Sequence, residues 1–108
     1  MLTHIFILAL TVGSYNKEMI NVELGKKIES IEPLVYEYWE KTGFNGVYPK
    51  GGNDELWSQI VNGRNYILKK NTDTKDSLCI KFHETLEGVV SIISTNICNS
   101  VFDVLSDY

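Results

Sequence analysis

Between about Asn16 and Lys41, apolar residues recur at three- and four-residue steps: Ile20, Leu24, Ile28, Ile31, Leu34 or Val35, and Tyr38. That spacing places them along one face of an amphipathic helix. Asn16 suits the N-cap, and Glu18 in the first turn complements the helix dipole. Pro33 lacks a backbone donor, so a kink or a break into two helices is expected there. Gly43 is a natural stop. The stretch from Gly43 to Asn53 is rich in Gly and Asn and reads as loop. Beyond it the period changes from helical to two. Glu55–Val61, Arg64–Asn71, Ser77–Thr85 and Val89–Cys98 read as strands, separated by turns at Asn62-Gly63, Thr72–Asp76 and Glu87-Gly88. The tail Asn99–Tyr108 keeps Val101, Phe102, Val104 and Leu105, enough to pack against something. The pattern predicts an α+β domain: an antiparallel β-sheet of four to five strands wrapped around one long amphipathic helix. Its other sheet face is expected in water.

The start of the chain reads in two ways. Ile5–Leu10 is unbroken apolar sequence followed by small residues, which suits a short secretory signal ending at Gly13. A buried first strand fits the same residues. The signal is the favoured reading, giving a signal over 1–13, a domain over 14–108 and a secreted protein. The alternative is cytoplasmic. The run is too short for a transmembrane helix. Cys79 and Cys98 would pair in an oxidising compartment and remain two buried thiols in a reducing one.

At 108 residues the chain has the length of one domain. Its formal net charge of −4 shows no basic stripe, which argues against nucleic acid or an anionic membrane as partner. No phosphate-binding glycine loop is present, and no cofactor is expected. Cys79 and His83, four apart on one strand, would lie about 13 Å from each other, too far for a nucleophile–base pair. His4 and His83 have no other ligands at metal spacing. Glu84 and Glu87 flank a turn and suit a solvated role, and Tyr36, Tyr38 and Trp39 suit helix core or rim. No catalytic residue or metal site is expected, and the chain does not read as an enzyme.

One short stretch suggests a binding role. In Gln59-Ile60-Val61-Asn62-Gly63, Asn-Gly between strand-like runs is a strong hairpin signal, because a two-residue type I′ turn needs positive φ at both positions. Ile60 and Val61 then point to opposite faces beside the tip. Local physics leaves open whether they pack under the hairpin or face outward.

This pentapeptide resembles the Q-x-V-x-G signature of the cystatins, inhibitors of papain-like cysteine proteases. Asn65-Tyr66 resembles the Asn-Tyr that follows the signature, and Glu37–Thr42 the end of the cystatin helix at the expected distance. Cys79 and Cys98 resemble the last disulfide pair of secreted cystatins, and the resemblance covers Lys17 to Cys98. It implies reversible inhibition of cathepsin-type proteases by a wedge that occludes the active-site cleft. Gln59, Ile60, Val61, Asn62 and Gly63 would form the first hairpin of that wedge. Leu86, Glu87 and Gly88 would form the second, with Gly13 in the N-terminal limb. It also implies a Cys79–Cys98 disulfide, with the two residues about opposite each other on adjacent strands. Such a bridge is worth roughly 3 kcal/mol in the chain-entropy picture. The chain would be a monomer or a dimer swapped through the opened first hairpin.

The sequence departs from the family at several points. Leu86 stands where secreted cystatins carry a Trp after Pro, Pro49–Ser58 is flexible and acidic, and the family's first disulfide pair is absent. These departures motivate a competing expectation, a cystatin-fold binding or structural protein without protease affinity.

Overall fold

The computed structural model of the protein describes residues 11–12, 15–50, 53–71 and 76–105. Six antiparallel strands follow one another in chain order across a single sheet: β1 (Thr11–Val12), β2 (Tyr15–Glu18), β3 (Asp54–Val61), β4 (Gly63–Lys70), β5 (Ser77–Glu84) and β6 (Val90–Cys98). One helix, α1 (Val22–Thr42), links β2 to β3 and packs on the sheet, and a 3-10 turn, η1 (Val101–Val104), ends the described chain. The expected α+β arrangement of one long helix on an antiparallel sheet is present. β1 adds only two residues to its five full strands.

The helix starts later than its apolar period suggests. Asn16–Glu18 belong to β2 and pair with Ser58, Trp57 and Leu56, while Ile20 lies outside the helix and is exposed. The sequence offers Asn-x-Glu twice, at Asn16–Glu18 and at Asn21–Glu23, and the second is the cap that forms. Asn21 Oδ1 accepts from the Leu24 amide at 2.8 Å, with Glu23 in the first turn. Tyr15, buried under the sheet's outer face, and Glu18, which accepts from Ser58, commit the earlier copy to the sheet.

Pro33 neither breaks nor divides α1, which continues through it for 21 residues. The proline is exposed, so its ring and the carbonyl it leaves unbonded face water, where the loss is least costly. The helix ends as expected at Gly43, whose φ of 77° lets both its own amide and that of Phe44 reach the Trp39 carbonyl.

Ile28, Ile31, Val35 and Trp39 pack against Tyr48, Leu56, Tyr66, Leu68, Leu78, Ile80 and Phe82 on the helix-side face of the sheet. Tyr66 and Phe82 stack with centroids 4.8 Å apart. The outer face is not left to water, contrary to the pattern-based expectation. Tyr15, Ile67, Cys79 and Cys98 form a second core there, closed by Val101 and Val104 of η1. The apolar tail supplies the cover. Ser100 caps η1 and Asp103 bonds back to the Asn99 and Ser100 amides, which turns the tail under the sheet. Lys81 is fully buried on this face, its ammonium 3.1 Å from the Val104 carbonyl and 3.5 Å from that of Leu105.

Cys79 and Cys98 are joined, with Cα atoms 5.8 Å apart. They are not opposite each other: Cys79 faces Asn96 and Cys98 faces Ser77, so the bridge runs diagonally. A β-bulge makes it reachable. Lys81 pairs with Ser94 and Phe82 with Ile92, leaving Ile93 as the extra residue on β6. Were Ile93 paired in a regular ladder, Cys79 would face Thr95 and Cys98 would fall on the opposite face from Cys79, because side chains alternate with period two. Tyr38 donates to the bulged Ile93 carbonyl at 3.1 Å, and Trp39 Nε1 donates to Thr95 Oγ1 at 2.8 Å.

Candidate functional site

The β3–β4 and β5–β6 turns lie side by side at one end of the sheet, since β4 pairs with β5 from Arg64–Glu84 inward. The first tip is tighter than the expected two-residue Asn-Gly turn. Pairing persists to Val61–Gly63, leaving Asn62 alone at the apex, and Gly63 takes φ 96°. Ile60 (76% exposed) stands on the helix-side face and Val61 (44%) on the outer face, so the apolar pair projects rather than folding under. Gln59 lies one step further in and is partly buried.

The second tip spans Leu86–Gly88. The Gly88 amide donates to Thr85 O at 3.0 Å and the Thr85 amide to Val89 O at 2.9 Å, with Gly88 at φ 90°. Thr85 Oγ1 also accepts from the Val89 amide at 3.0 Å. Leu86 is 77% exposed, Glu87 is exposed, and Val89 beside them is exposed as well. Val89 was not among the residues singled out by sequence; its place at the strand mouth follows from the turn being three residues long. β2 begins at Tyr15, one step from the Asn16–Ser58 pair toward this same end. Gly13 itself lies outside the described residues, as does most of the 1–13 segment; Thr11 and Val12 pair with Asn16 and Tyr15.

Beneath the first tip, a polar ladder crosses three strands on the outer face. Asn65 Nδ2 donates to Gln59 Oε1 at 3.1 Å. With the amide nitrogen so committed, Asn65 Oδ1 accepts a hydrogen bond from His83 Nδ1 at 2.7 Å. His83 is therefore engaged as a brace, and Cys79 is held in its disulfide. The sequence marks Asn65 by motif, but its bracing role appears only once the register aligns Gln59, Asn65 and His83. On the helix-side face, Lys27 grips both oxygens of Glu84 at 2.6 Å and lies 5.7 Å from the Tyr66 ring centroid. Burial pushes the Tyr66 hydroxyl above its ordinary pKa. Lys27 opposes that shift and Glu84 adds to it.

Gly63 is closely packed as well as left-handed. A Cβ there would run into the Glu84 carbonyl oxygen, with Thr85 Cα at 3.1 Å and His83 Cε1 at 3.2 Å. The first tip thus leans on the second hairpin through backbone contact.

Among the described residues, no three His, Cys, Asp or Glu side chains gather to hold a metal, and no helix is long and apolar enough to cross a membrane. No family model, curated protein or solved structure matches the chain. The likeness to cystatins therefore rests on the residues quoted above.

Proposed function

We propose that the chain is a cystatin-like, reversible inhibitor of papain-like cysteine proteases, secreted, and inserting its paired tips into the active-site cleft. The observation that supports this reading most is the adjacency of two rigid turns bearing exposed Ile60, Val61 and Leu86. Preformed turns lose little conformational freedom on docking, and apolar tips gain by leaving water. Neither turn offers an extended peptide for cleavage. Gln59 and Gly63 serve the first tip by bracing and by close backbone approach.

The test is a titration of papain activity by the purified protein, wild type against Val61→Asp. Wild type inhibits at micromolar concentration or below, and the variant loses inhibition at least about a hundredfold because its carboxylate would be buried without a partner. Its fold is unchanged, since Val61 is exposed at the tip. Equal inhibition by both proteins would remove the first hairpin from the site. The competing reading, a cystatin-fold binding or structural protein without protease affinity, is favoured by one observation. The second tip presents only Leu86 beside an acidic Glu87, a small anchor for a cleft. Absence of inhibition at micromolar wild-type protein selects it.

A further inference from the structure

Strand β6 is the last in the sheet order and is hydrogen-bonded through β5 on one side only. Its residues, Val-Ser-Ile-Ile-Ser-Thr-Asn-Ile-Cys, include no charge and no proline. Every other full strand carries charge: Lys17 and Glu18 on β2, Asp54 and Glu55 on β3, Arg64, Lys69 and Lys70 on β4, Lys81 and Glu84 on β5. At the opposite side of the sheet, Tyr15 and Asn16 of β2 are paired with Val12 and Thr11, and the rest of β2 carries Lys17 and Glu18. Soluble proteins usually guard an edge with lysine, proline, a bulge or a covering element, since an open edge invites another strand. Here the guard is the Ile93 bulge, whose carbonyl is taken by Tyr38. It protects the half nearer the tips and leaves Ser94–Cys98 regular.

That far half is also preorganised. The disulfide fixes Cys98 to β5, and Trp39 holds Thr95 on the helix side. A mainly apolar groove of about 270 Å³ adjoins it, lined by Phe44, Val47, Pro49, Leu78 and Ile97, with the exposed Asp76 at its rim. Val47 and Ile97 are 85% and 59% exposed.

We propose that the Ser94–Cys98 edge of β6 is a self-recognition edge, to which a second copy of this chain adds its own β6 in antiparallel register about a two-fold axis. The occupant follows from charge. A two-fold sets the strand against itself, residue i against j and j against i, so a strand charged with one sign would meet that sign, which is destabilising. β6 has no charge to repeat in any register, whereas the chain as a whole carries −4 and resists self-approach elsewhere. The exposed Val47 and Ile97 extend the contact beyond main-chain hydrogen bonds. The tips at Val61–Gly63 and Leu86–Gly88 sit at the other end of the strands and stay open in such a dimer. It is therefore distinct from a dimer swapped through the first hairpin.

Sedimentation equilibrium of the full chain from about 1 to about 300 μM tests this, because short-edge pairing falls among the weaker specific contacts. The mass rises toward twice the 12.3 kDa of one chain and falls again within minutes of dilution. Ile97→Lys places like charges on both copies of the edge and weakens the dimer at least about tenfold. Val47→Lys, in the loop and off the strand, weakens it several-fold less. Far-UV circular dichroism and the urea midpoint stay at wild-type values, because both side chains are largely in water. A wild-type mass of one chain throughout overturns the proposal. So does an Ile97→Lys protein that dimerises like wild type, or a dimer that outlasts dilution for hours as a swapped one would. Mass is read without any protease, so these outcomes are independent of inhibition.

Discussion

The two hairpin tips use the same backbone device and depend on it differently. Each reverses the chain with a glycine in the left-handed region, at φ 96° for Gly63 and 90° for Gly88. Around Gly88 there is open space, and its turn is closed by bonds within Thr85–Val89. Gly63 is pressed against Glu84 and Thr85, and the Gln59–Asn65–His83 ladder lies beneath it. The second tip is a local turn. The first is a tertiary structure, positioned by its neighbour, and a residue's importance there cannot be judged from its own hairpin.

The sharpest way to break this contrast is Gly63→Ala. The methyl adds left-handed strain of about 1 kcal/mol and collides with backbone that cannot step aside, for a total loss on the order of 3 kcal/mol in urea unfolding. Gly88→Ala meets no atom and costs only the strain, about 1 kcal/mol. Equal losses for the two variants would show that the first tip does not lean on the second hairpin. Asn65→Ala is next in size. It removes one partner each from Gln59 and His83 at about 1–3 kcal/mol and, on the proposed function, weakens papain inhibition more than its distance from the tip suggests. Leu86→Ala is smaller still: stability stays within about 0.5 kcal/mol because the side chain is 77% exposed, and, on the proposed function, inhibition falls several-fold.

The smallest effect is confined to alkaline solution. The folded Tyr66 hydroxyl titrates above its unfolded value near 10, so the stability it contributes is complete below about pH 10 and is lost as pH rises further. Tyr66→Phe flattens that alkaline limb of the urea-midpoint profile. An unchanged limb would show that other groups set it.

Where side chains alternate plainly, the sequence was sufficient. β3 to β6 lie within a residue of their expected bounds, and Gly43 and Gly88 stand where a turn demands them. What escaped depended on competition or on counting. Asn16 and Asn21 offer similar caps, and the burial of Tyr15 together with the Ser58–Glu18 bond shows which is used for the helix. The cysteines' diagonal relation depends on one bulged residue, Ile93, which no local preference announces. The tail's apolar residues signalled packing without naming the outer face as its place. At the candidate site, Gln59–Gly63 and Leu86–Gly88 were legible as two turns. Their adjacency followed from strand order, while the brace through His83 needed the exact pairing of three strands.

Lys81 gives residues 101–105 a part in completing the domain. Its ammonium is capped by carbonyls of Val104 and Leu105, which are among the last described residues to leave the ribosome. Until they arrive, a cation on β5 faces an apolar layer without those acceptors, and the outer core lacks its closing residues. Removing residues 101–105 would keep both tips while taking from the outer core its cover and from Lys81 two of its acceptors.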